Sequence, residues 1–180
     1  MTVIARGRAL LYNVYIMLRK FARTLRSHLT RFSFGSTSAI ITNLGLMAGL
    51  HSGPHAKGSI IGGILIIAFA DNISDSFGIH IFSECERTDK KEVWTSTSMN
   101  FISRVIVSLI FVALLIFLPL NAAVIVSIIW GLFLLAILSY FIALYDGTNI
   151  YSSIAMHLLI AAVVIVLSNI AGDFLINRFQ

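Results

Sequence analysis

The sequence predicts an all-α membrane protein of five transmembrane helices preceded by an N-terminal amphipathic helix, and three observations carry this. The 180 residues are 58% apolar and 12% charged, with a mean hydropathy of +0.92, whereas soluble domains are about 45–50% apolar and about 25% charged. From residue 34 onward the apolar residues fall in blocks close to the roughly 20 residues that a helix needs to cross about 30 Å of hydrocarbon. Arg6, Arg8, Arg19, Lys20, Arg23, Arg26 and Arg31, seven of the 13 basic residues, precede the first block. The chain thus divides into a basic segment, 1–31, and a transmembrane domain, 32–180.

The basic segment reads as an amphipathic helix over residues 3–30 lying on the membrane surface, with anionic lipid as its partner. It lacks the aromatic stacking platform and the motifs of nucleic-acid binders, so no nucleic-acid partner is expected. The short apolar run Ala9–Leu18 is closed by Arg19 and Lys20 with no small-residue cleavage pattern, which disfavours a signal peptide. The five spans are expected at about Phe34–Leu50, Ser59–Phe82, Phe101–Leu118, Ala122–Tyr145 and Ile150–Ile170. Tight turns at Pro119-Leu120-Asn121 and Asp146-Gly147-Thr148-Asn149 make consecutive helices antiparallel neighbours. The basic N-terminus and the 84–100 loop, with Arg87, Lys90 and Lys91, are placed in the cytoplasm by the positive-inside rule, and the C-terminus outside or in a lumen. The lone Cys85 excludes an internal disulfide.

Asp71, Asn72 and Asp75 lie inside the second apolar block. A carboxylate in hydrocarbon costs at least about 2.5–3.5 kcal/mol and faces a partner or a wet cavity. At about 100° per residue Asp71 and Asp75 share a face with Gly78 alongside, while Ser76, His80 and Glu84 lie opposite. Paired hard oxygens suit a divalent cation or a shared proton. The plainer reading pairs one carboxylate with Arg104 of the third span and hydrogen-bonds the other to a Ser or Thr of the first. Ser38, Thr42, Gly45 and Gly49 form one stripe of the first span, and Gly45 and Gly49 read as a helix-packing pair, as does Gly78 on the second. Asn43 and Met47 sit on an adjoining face as accessory groups, and His80, Glu84 and Glu86 are further accessory candidates near the loop. His157 reads as a hydrogen-bonded core residue.

The run Phe34-Gly-Ser-Thr-Ser-Ala-Ile-Ile-Thr-Asn-Leu-Gly-Leu-Met-Ala-Gly-Leu50, the run Ala70-Asp-Asn-Ile-Ser-Asp-Ser-Phe-Gly78 continuing to Ser83-Glu84, the third-span end Pro119-Leu120 and Gly172 together resemble the vacuolar iron transporter family, in the short-loop form of its nodulin-like members. The resemblance spans about residues 32–175. It implies five spans, carriage of ferrous or manganous ions, and a homodimer formed through the first and second spans. It departs from the family where metal is bound: Ser38 stands for the expected Asp, Ala39 for Gly, Asp75 for Met and Ile79 for Glu.

The expected function is therefore a divalent-cation carrier, an antiporter against protons. Its ion route uses Asp71, Asn72, Asp75, Ser38 and Thr42, no resident cofactor is expected, and Mn2+ or Fe2+ is the cargo. Replacing Met by Asp hardens the site toward manganese, magnesium or a proton. A transport-inactive relative acting as a membrane interaction protein is the first alternative. A metal-dependent membrane enzyme is the second, disfavoured because the sequence lacks the rest of the CDP-alcohol phosphotransferase motif and any Ser-His-Asp or His-Glu-x-x-His set.

Overall fold

The structure, a computed structural model, describes residues 32–86 and 88–179. The predicted N-terminal amphipathic helix lies outside the described residues, as does Arg87. Five helices follow one another with no strand among the described residues: α1 (32–50), α2 (Ala56–Cys85), α3 (Lys90–Phe117), α4 (Leu120–Asp146) and α5 (Ile150–Phe179). Four of them, α2 to α5, are long and apolar enough to cross a membrane. Phe117, Tyr151, Phe174 and many other large apolar side chains point outward, a surface that water would not tolerate and lipid would. The described residues are all-helical apart from their turns and built as a multi-pass membrane protein.

α1 is shorter and richer in Ser, Thr and Asn, yet it is the most enclosed helix. Ile40, Asn43, Leu44 and Met47 are fully buried. Its small residues explain why: each lets another helix come close. Gly45 lies under Val164 and Ser168 of α5, Gly63 of α2 receives Leu46, and Gly131 of α4 receives Leu44. At the far end Gly49 and Gly172 touch through backbone, so a methyl group at Gly172 would strike the Gly49 carbonyl. Gly35 is equally close to Asn100 and Ser103 of α3. The Gly45 and Gly49 stripe is thus the seat of α5. Gly78, by contrast, has no described atom near where a Cβ would stand, because it borders the open cavity between α1, α2 and α3.

Two features of the second and third helices differ from expectation. The 84–100 loop is far shorter, since α3 begins at Lys90, where the Asp89 carbonyl accepts the Glu92 and Val93 amides at 2.8 and 3.0 Å. Polar residues 90–100 are helical turns that extend the span rather than a connection. In addition, α2 contains a π turn at Ile67–Asp71. Its buried residues recur every four, at Ala56, Ile60, Ile64, Ala68, Asn72 and Ser76, a spacing that drifts about 40° per step on a pure α-helix. The wider π turn winds less per residue. It keeps Asn72 and Ser76 facing α3 and leaves Asp71 and Asp75 at the edge of that contact.

Lys57 at the start of α2 donates to the Ile116 and Leu118 carbonyls at 3.4 and 3.1 Å, filling acceptors left open at the end of α3. The 51–55 turn and the Leu118-Pro119 turn therefore share one end of the bundle. At the other end stand the start of α1, the 86–89 turn and the start of α3.

Candidate functional site

Arg104 is 2% exposed and lies at the meeting of α1, α2 and α3. Its guanidinium forks between the two acids of α2: one terminal nitrogen, Nη2, donates to Asp71 Oδ2 and the other, Nη1, to Asp75 Oδ2. Nη1 also donates to Ser38 Oγ of α1 at 2.8 Å. The expected single pair is thus a three-way clamp, because Asp71 and Asp75, four residues apart, stand one above the other. Charge adds to −1: two carboxylates against one guanidinium. The side chains of Asp71 and Asp75 are 49% and 43% exposed, so the clamp is buried on the arginine side and open on the acid side.

The opening has two parts. Asp71 stands on the outward face of α2. Asp75 forms the inner wall of an open cavity of about 830 Å³ that runs between α1, α2 and α3 to the 86–89 end. Its polar wall is Ser74, Asp75, Ser83, Thr88, Glu92, Ser96 and Asn100; no Lys, Arg or His contributes among the described residues. Its two carboxylates, Asp75 and Glu92, favour cations over anions.

Asn72 does not join the carboxylates. Fully buried, it donates to the Phe101 carbonyl at 2.9 Å and accepts from Ser76 Oγ at 3.4 Å, while Asn100 Nδ2 donates to Ser76 at 3.0 Å. One residue beyond Asp71 is a rotation of about 100°, which turns Asn72 into the α2–α3 seam. Thr42 is half-buried on α1 and reaches neither acid. Asn43 donates to Ser108 at 3.0 Å, and Met47 is core. Among the described residues no three His, Cys, Asp or Glu converge as a metal would require.

His80 stands apart from the acids. Its Nδ1 meets Thr97 Oγ1 at 3.3 Å, its Nε2 is 3.5 Å from Glu84, and Trp94 packs its edge against the ring at 4.7 Å. Glu86 is exposed in the turn and distant in role from the clamp. His157 meets Ser139 at 3.0 Å, and the Ser139 hydroxyl donates to the Leu135 carbonyl, so the histidine is a bridge between α4 and α5. The residues that sequence reasoning missed are Asn100, Ser76 and Ser108. The signal available was a column of polar residues on α3 at Ser96, Asn100, Arg104 and Ser108, four apart and all buried. No family model, curated protein or solved structure matches the chain.

Proposed function

We propose that this is a small five-span membrane carrier of a divalent cation such as Mn2+ or Fe2+, exchanged for protons at Asp71 and Asp75. One observation carries the reading. Two carboxylates sit within an apolar helix, half-exposed, and one of them, Asp75, lines a cavity with a second acid, Glu92, in its wall that opens at one end of the bundle. A purely structural ion pair would be sealed by its neighbours, because exposed acids in hydrocarbon are costly. Each carboxylate can hold a proton or a cation, so alternation between the two states couples their movements. The oxygen set favours a hard ion, manganese over iron. In this reading α1 is the fifth crossing, the N-terminus is cytoplasmic with its basic segment on anionic lipid, and a second copy covers the face of α2 that bears Asp71 and Gly78.

Vesicles containing the purified protein, loaded with a Mn2+-sensitive dye and a pH dye, test this. Mn2+ uptake with proton release, lost in Asp75→Ala, is the expected result. Absence of uptake for Mn2+ and Fe2+ under every imposed pH gradient would sink the carrier reading. A second reading, a transport-inactive membrane interaction protein, is favoured by Arg104, which already stands where a metal would, with no third acid, His or Cys ligand alongside among the described residues. Under that reading Asp75→Ala changes assembly with a partner and moves no ion.

A further inference from the structure

We infer that Arg104 is the specificity-determining residue of the Asp71–Asp75 site: a tethered cation that occupies the site at rest and must withdraw before a divalent ion binds. This rests on the carrier reading above. The guanidinium engages the Oδ2 atom of each acid, and a bidentate fork fixes both carboxylates in one plane of approach. A divalent ion bridging the two acids needs the same oxygens. With Arg104 in place the site carries −1, so a proton neutralises it, whereas a divalent ion leaves it positive and sits against a second cation. The docked arginine therefore admits a single positive charge, and the divalent state requires its departure.

The seam between α1 and α3 holds acceptors for the departed guanidinium. Ser38 Oγ already accepts a hydrogen bond from it at 2.8 Å. On α3, Asn100 lies one turn before Arg104, and Ser108, bonded to Asn43 of α1, lies one turn after. The Oδ1 atoms of Asn100 and Asn43 are buried and without a hydrogen-bond partner among the described residues. Buried acceptors left unmet are costly. Two of them, one on each helix of the seam that holds Arg104, offer the guanidinium a second set of partners and the clamp a second state.

Mn2+ binding, read from the loss of the free-ion electron paramagnetic resonance signal on the purified full chain in nanodiscs, tests the inference directly. Arg104→Gln removes the competing charge, and its Mn2+ affinity is expected to rise about tenfold or more, the change an adjacent unit charge produces in proton affinity. Arg104→Lys keeps the charge but loses the fork, and its affinity is expected to rise less. Adding Asp75→Asn to Arg104→Gln reverses the gain. A merely structural arginine would give the opposite sign, with binding falling as the site loosens. Monodisperse Arg104→Gln binding Mn2+ no more tightly than the parent overturns the inference; if that variant does not stay monodisperse, unchanged or weaker binding by Arg104→Lys overturns it equally. Vesicle uptake separates the two proposals: a tightened Arg104→Gln without parental uptake sinks the carrier alone, and parental uptake with unchanged Arg104→Gln affinity sinks the tethered cation alone.

Discussion

A buried arginine with two acids has a redundancy that a simple ion pair lacks. Either carboxylate alone can neutralise Arg104, and each is half-exposed, so Asp71→Asn or Asp75→Asn is expected to cost only about 1 kcal/mol, the upper range for a solvent-screened ion pair. The double variant leaves a charge that is 2% exposed with no counter-ion, and breaking a buried pair in this way costs about 3–5 kcal/mol. The loss should therefore exceed the sum of the singles, as a double-mutant cycle of unfolding in detergent would read. Additive losses would mean that each acid acts alone. This site was partly legible in the sequence. The cost of a carboxylate in hydrocarbon singled out Asp71 and Asp75, and depth along the span brought Arg104 to them. What was not legible was Asn72: chemistry grouped it with the acids, while rotation by one residue gave it to the Ser76 and Asn100 seam.

Helix packing in this molecule is decided by where a Cβ fits. Gly172→Ala drives a methyl group into the Gly49 backbone, where nothing flexible can yield, so α1 and α5 must separate. The expected loss is about 1–3 kcal/mol, the usual cost of overpacking, seen as a lower melting temperature in detergent. Gly78→Ala is the control with opposite sign. Its surroundings are open, and alanine replaces glycine within a helix, a gain of about 0.5–1 kcal/mol. A loss at Gly78 instead would show that the space beside it is filled, and one that appears only in the assembled state would assign the filling to a second copy. Sequence spacing found the Gly45 and Gly49 stripe because small residues four apart align whatever the partner. It could not find the π turn at Ile67–Asp71, whose residues Ile-Ala-Phe-Ala-Asp carry no local signal; only the need to keep Ala68, Asn72 and Ser76 on α3 explains it. The start of α3 was missed for a related reason. Hydropathy marks where a helix meets lipid, and the helix continues beyond that point through Lys90 to Asn100.

Five helices joined by turns alternate in direction, and that fixes which surfaces share a side of the membrane. The Lys57 bonds to Ile116 and Leu118 tie the 51–55 turn to the α3–α4 turn, while Phe34, Thr88 and Glu92 border one cavity at the opposite end. α1 thus runs the length of the bundle, in contact with Asn100 at one end and Gly172 at the other. With α2 as a crossing, Ser52 and Cys85 lie on opposite sides of the bilayer, and if α1 crosses as well its start lies on the Cys85 side. Cys85 is exposed and the only cysteine, so it serves as a native probe. In intact cells a membrane-impermeant maleimide is expected to spare Cys85 and to label a Ser52→Cys, Cys85→Ser variant; after permeabilisation both react. The basic residues beside the 86–89 turn set this sense, since Lys and Arg favour the cytoplasmic side. Labelling of both positions from one side would remove α2 as a crossing. The cavity at Asp75 would then open on the same side as the 51–55 turn, and a carrier built on alternating access across these five helices would lose its second side.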